Sequence, residues 1–258
     1  MEKRFREYLE VLEQLKEPNG DVTKGEIEII TDPDEIVRTE EIVRERYRKQ
    51  RKDSGSETPR DEWATVGVID EDQYLVHLRD AVKFPGKPGK EPILGTYIRL
   101  VYKNQLKGNL GISLFVVDRN RRIILNRAFR HSIRRWVMEA AGTIARDNEK
   151  TEETISRCIN HELGMEPLLI RLLTTKGYVA ERGLVGGLVP IYYVLVDPME
   201  ERQGSIIDPS VSGHVALTRE EYESALLKGV HDFNGIPHIF NDGYTNAGFL
   251  LATLNGLV

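Results

Sequence analysis

The stretch WVMEAAGTIARDNEKTEETISRCINHELGM, residues 136–165, decides the fold. In its second half Ile155, Cys158, Ile159 and Leu163 recur at spacings of three and four, so they share one face of a helix. That helix is expected over Thr151 to Leu163, with Gly164 ending it. Glu152 and Glu153 stand in its first turn, where the helix dipole favours acids. A lone cysteine on an apolar face is read first as a packing residue. Cys158, His161 and Glu162 also fall on neighbouring positions of one side, and a joint transition-metal site is the sharper alternative.

Working outward, the pattern turns to strands. WATVGVID, QYLVHLRDAVKF, GTYIRLVYK, GISLFVVD and RRIILNRAF are β-branched, partly alternating runs bounded by Gly, Pro, Asn and Asp. Downstream, VPIYYVLVD (189–197) and VALT read as strands, and REEYESALLKG (219–229) and DGYTNAGFLLATLNGL as helices. HDF and PHIF are read as packing segments, and His214, His231 and His238 show no spacing that suggests catalysis. The expected architecture is an α/β sandwich without internal repeats. At the N-terminus, residues 1–17 form an amphipathic helix stopped by Pro18-Asn19-Gly20. GEIEIIT (25–31) is a short strand, and a second helix opens at Asp32-Pro33. KDSGSETPRDE is polar and reads as a linker. The chain is therefore divided into a helical arm, 1–60, and one larger domain, 61–258.

Composition narrows the function classes. The 258 residues are 40% hydrophobic and 30% charged with a formal charge of −5, ordinary for a soluble globular protein. The basic cluster RERYRKQRK (44–52) reads as a solvated helix face, and nucleic acid is not an expected partner. No apolar run is long enough to cross a bilayer, and the charged N-terminus lacks the apolar core of a signal peptide. One cysteine fits a reducing compartment, the cytoplasm being the default.

The 136–165 stretch resembles the Nudix box, G-x5-E-x7-R-E-U-x-E-E-x-G-U with U aliphatic. Anchored on Gly164-Met165, Arg157 takes the box arginine and Glu162 the last glutamate. Cys158 and His161 stand where the other two glutamates belong. Gly142 matches the opening glycine, and Glu149 falls one residue late for the upstream glutamate. EAAG (139–142), NRAFRHSIRRWVME, LRDAVKFPGKPG with TYIRLVY, and HIFNDGYTNAGFLLATLNG are similar, in collinear order, to segments of the ADP-ribose pyrophosphatase branch. The resemblance covers roughly 66–257 and implies a Nudix-type α/β/α sandwich with a mixed sheet, preceded by an N-terminal helical extension.

The same resemblance implies hydrolysis of a nucleoside diphosphate-linked, ADP-sugar-like substrate with magnesium or manganese. Such ions want oxygen ligands, and here one carboxylate remains where the box has three. Thiol and imidazole suit zinc or another transition metal instead. The downstream "S-P-G-x-x-E" glutamate also lacks a match: AERGLVGGLVPIYY has Glu181 early and Leu188 near the place, and 205–218 offers only Asp208. GLVGG (183–187) lacks a following Lys-Ser or Lys-Thr and reads as a turn. Glu162 and Glu139 are the expected catalytic residues. Glu162, Glu139, the Ala141 carbonyl, His161 and Cys158 are the candidate metal ligands, and Arg130 and Arg99 the substrate contacts. Arg157 is expected to orient Glu149 or Glu153. Two readings stand: a hydrolase with an altered or weakened metal site, or a Nudix-fold protein that binds a nucleotide-like ligand or a partner, or runs non-hydrolytic chemistry. The resemblance further implies a homodimer paired around residues 63–100.

Overall fold

The computed structural model describes residues 3–87, 89–109, 111–174, 176–179, 183–185, 187–198 and 211–258. Contacts divide the chain into two compact units, 1–108 with 181–186, and 109–180 with 187–258. Glu181 and Asp208, weighed above as substitutes for the missing glutamate, and Gly186 of GLVGG lie outside the described residues.

The first unit contains α1 (Lys3–Leu15), β1 (Glu28–Ile29), α2 (Pro33–Ser54), β2 (Gly67–Glu71), β3 (Leu75–Phe84), β4 (Ile93–Tyr102) and the short α3 (Lys103–Leu106). Asp32 caps α2 by accepting the Glu35 N–H, as its place before Pro33 predicts. β3 pairs antiparallel with β1, β2 and β4. Phe5 and Tyr8 of α1 and Ile36 of α2 share a buried cluster with Val76, Leu78, Ala81 and Val101. The helices thus pack on this sheet, and the compact units divide near Gly108, downstream of the polar stretch read as the boundary. That stretch departs from a linker because α2 runs into it as far as Ser54. Near its end Asp61 accepts from both Arg48 and Arg51. Gly183 and Leu184, read as part of a turn, also belong here: Leu100 N–H donates to the Leu184 carbonyl.

The second unit is built on nine strands: β5 (Gly111–Asp118), β6 (Ile123–Arg130), β7 (Arg135–Glu139), β8 (Ala141–Ile144), β9 (Leu169–Leu172), β12 (Ile191–Val196), β13 (Val211–Leu217), β14 (Val230–Phe233) and β15 (Ile236–Ile239). Among the described residues a separate pair, β10 (Tyr178–Val179) and β11 (Leu188–Val189), completes the strands, and the helices are α4 (Thr151–Leu163), α5 (Arg219–Lys228) and α6 (Gly243–Leu254). The sheet is mixed, since β12 runs parallel to β5 and antiparallel to β9. Strand alternation sends successive residues to opposite faces. Ile112, Leu114 and Val116 of β5 pack with Ile155, Cys158, Ile159 and Leu163 of α4. Phe115 and Val117 pack on the other face with Tyr222 of α5 and Ala247 and Ala252 of α6. This is an α/β/α sandwich, with the α4 face the one that carries the candidate residues. No helix among the described residues is long and apolar enough to cross a membrane.

Candidate functional site

Strands β7, β6 and β13 lie side by side, and their register aligns three polar residues on the α4 face. Asn126 of β6 is the Cα partner of Glu139 on β7 and of His214 on β13. All three are buried. From above, α4 brings Glu162, whose Oε2 accepts from Asn126 Nδ2 at 2.6 Å and whose Oε1 accepts from Cys158 Sγ at 3.4 Å. Asn126 Oδ1 lies 3.0 Å from His214 Nδ1. The Asn126 amide nitrogen is the donor to Glu162, so Oδ1 is an acceptor and His214 carries its proton on Nδ1. The hydrogen bonds therefore run one way, from His214 through Asn126 to Glu162, with the Cys158 thiol feeding the same carboxylate.

Electrostatics fit this direction. Burial holds His214 below the ordinary imidazole value, with nearby Arg127 adding to the effect and the Glu162 carbonyl opposing it. Burial thus favours the neutral imidazole, and its Nε2 is sealed from solvent with no hydrogen-bond partner among the described residues. Burial, then the charge and hydrogen bond of Glu162, push the Cys158 thiol well above the usual thiol range. A thiol so placed is a poor nucleophile.

Glu139 sits at the end of β7, where Arg130 grips both its oxygens, one Nε–Oε2 contact measuring 2.9 Å. The following bend is fixed from two sides. Ala140 N–H donates to Thr245 Oγ1 at 2.6 Å, and Asp242 caps α6 through the Thr245 N–H. Ala141 is buried, and a side chain at Gly142 would lie 3.0 Å from the Ile112 carbonyl, so glycine lets β8 close on β5 without displacing that carbonyl. Arg157 binds Glu149 through two hydrogen bonds of 2.7 and 2.8 Å and also donates to the Ile144 carbonyl. Glu149 is thus its carboxylate, while Glu153 accepts the Lys150 N–H as part of the α4 cap.

The structure brings together Glu162, Cys158, Asn126 and His214, and separately Glu139 with Arg130. His161 is half-buried on α4 and shares no hydrogen bond with them. Arg99 belongs to the first unit, where its Nε donates to the buried Asp80 at 2.5 Å, with Tyr8 OH on the same carboxylate. Among the described residues no three His, Cys, Asp or Glu side chains are placed to share a metal ion. Among the described residues neither a magnesium pair nor the alternative centre of Cys158, His161 and Glu162 fits this donor set. The Cys158 thiol is a soft donor packed in the core, and the oxygens of Glu162 and Glu139 accept from protein donors. Asn126 and His214 escaped the sequence reading, although a polar residue at an inward position of the apolar run IILNRAF was the available signal.

No family model and no curated protein sequence matches the chain. Among solved structures it is similar to one described as "Crystal structure of ADP compounds hydrolase", at 12% identity and a TM-score of 0.53, covering 75% of this chain and 95% of that one. At that identity the likeness carries the fold alone. The fold is accordingly the Nudix-type α/β/α sandwich that the resemblance implied, with helices preceding it in the chain.

Proposed function

We propose that this chain recognises a nucleoside diphosphate-linked, ADP-sugar-like molecule on a Nudix-type fold and no longer hydrolyses it by the metal-dependent route. The observation that carries the proposal is the Glu162 carboxylate, which accepts from Asn126 and Cys158 where the family pattern would present oxygens to a divalent ion. Removing a cation that neutralises developing phosphoryl charge costs orders of magnitude in rate. The ligand class rests on the motif resemblance and on the likeness to a hydrolase of ADP compounds. Pairing of two copies around residues 63–100 belongs to the same proposal, and a monomer of 29.5 kDa in sedimentation would remove that part.

A second reading, slow hydrolysis from a thinned site, is favoured by one feature. Arg130 is partly exposed while its partner Glu139 is nearly buried, so the guanidinium can exchange the carboxylate for a phosphate. One experiment separates the two. ADP-ribose and related nucleoside diphosphate derivatives are offered with magnesium, manganese, zinc or no metal, following monophosphate release and melting temperature together. Stabilisation without release, indifferent to metal, supports the binding protein. Metal-dependent release abolished by Glu162→Gln establishes the hydrolase instead.

A further inference from the structure

The first unit has a cleft of about 570 Å³ lined by Tyr47 of α2, Trp63, Arg79 of β3, and Thr96, Tyr97 and Ile98 of β4, with Gly183 and Leu184 closing one side. Its volume lies in the range of small-molecule sites. Trp63, in a 3₁₀ turn (Asp61–Ala64), keeps 43% of its surface exposed, and the Tyr97 hydroxyl donates to the Gly183 carbonyl. Arg79 is different in kind. It is 8% exposed, and its bonds, both from Nη1, go to the backbone carbonyls of Glu62 and Thr65.

Its neighbours in this unit show what is missing. Arg4 and Arg44 meet Glu40, Arg48 and Arg51 meet Asp61, and Arg99 meets Asp80. Arg79 meets no carboxylate among the described residues. Burial presses its pKa downward, and Tyr47 is the group that opposes. A guanidinium has five donors, and a desolvated cation without a counter-charge is costly. Arg79 lines the cleft together with Tyr47, Trp63 and Tyr97. A cation beside indole and phenol rings selects for a flat ring carrying an anion.

We propose that this cleft is a binding site for a planar, anionic ligand of mononucleotide size, with Arg79 taking the anion and Trp63, Tyr47 and Tyr97 the ring. The inference does not rest on the function proposed above, because all its residues belong to the first unit and it needs neither Glu162 nor Glu139. The probes are adenosine 5′-monophosphate, adenosine and inorganic phosphate, titrated calorimetrically into the full chain. They are also followed by fluorescence in Trp136→Phe, which leaves Trp63 as the sole tryptophan. The monophosphate is expected to bind at or below about 1 mM and to quench Trp63. Adenosine and phosphate each bind at least about tenfold more weakly, and Trp63→Ala and Arg79→Gln each weaken the monophosphate about tenfold. Should Arg79→Gln fail to fold, Trp63→Ala with Tyr47→Ala decides alone. Equal binding of adenosine, unchanged affinity in Trp63→Ala, no quenching, or a Trp63 signal that depends on protein concentration alone would each overturn the proposal. Affinity lost in Glu162→Gln but kept in Trp63→Ala would assign the monophosphate to the second unit and also overturn it.

Discussion

Asn126 and Glu162, thirty-six residues apart, are joined by a 2.6 Å hydrogen bond between strand and helix that ties the only acid left at the end of the box to the sheet beneath it. Hydrogen bonds to a carboxylate are worth about twice neutral ones, and a buried group left unpaired costs about 1–3 kcal/mol. Asn126→Ala strands His214 Nδ1 and takes one donor from Glu162, so it should destabilise the protein by about 1–3 kcal/mol in urea unfolding. Combined with Glu162→Ala, the losses should fall short of additive by about 1–2 kcal/mol. Strict additivity would mean that the two residues act independently.

The same pairing predicts indifference to divalent ions. Millimolar magnesium or manganese should leave the melting temperature unchanged, because an ion would have to displace Asn126 and Cys158 from Glu162 and Arg130 from Glu139. A rise of several degrees that vanishes in Glu162→Gln would show that the network opens to admit the ion.

Cys158 offers a chemical readout of the packing. At 2% exposure, and with burial holding its thiol protonated, it should resist alkylation in the native protein and react once denaturant is added. Its folded pKa is raised, so the contribution to stability is complete below the ordinary thiol value, near 8.5, and declines as pH rises past it. Cys158→Ala should flatten that alkaline decline. Rapid labelling of native protein at pH 7 would contradict the buried assignment.

Glu149 moves in the opposite sense. The Arg157 guanidinium, then the Arg146 N–H and Thr154 hydroxyl, hold its carboxyl at about 2. Its stabilising share is therefore present above the ordinary carboxylate range near 4.5 and is lost as pH falls from there toward about 2. Glu149→Gln should remove this acid limb from the pH–stability curve while costing little once the pH is at or below about 2. A limb that persists unchanged would assign it to other carboxylates.

Much of this fold was legible because local rules agreed with tertiary need. The spacing of Ile155, Cys158, Ile159 and Leu163 marks α4, and Asp32-Pro33 marks the start of α2. The hairpin β14–β15 was missed although Asn234-Gly235 signals it, both residues taking positive φ, 53° and 78°, as a tight primed turn requires. The site was less legible for a different reason. Asn126, Glu139 and His214 are neighbours only through strand register, and spacing along one chain carries no register. Arg99 resembled a phosphate ligand by motif, yet a partner from β3, Asp80, engages it.

The N-terminal helices were read as an appended arm, and Glu40 explains why they dock on the β2–β4 sheet instead. Its carboxylate is 1% exposed and accepts from Arg4 of α1, Arg44 of α2 and the Val66 N–H just before β2. Burial alone would raise its pKa, but Arg4, the Val66 N–H and Arg44 together hold it below the usual carboxylate range. One side chain thus joins two helices to the start of a strand. Breaking a buried ion pair by removing one partner costs about 3 kcal/mol or more, because the remaining groups stay desolvated. Glu40→Ala should therefore loosen α1 before it unfolds the rest, opening Arg4, Arg6 and Lys16 to trypsin under conditions where the parent chain resists. Glu40→Gln, which keeps an acceptor but no charge, should fall between the two. Equal cleavage rates in all three proteins would mean that the apolar contacts of Phe5 and Tyr8 hold α1 without help from the buried acid.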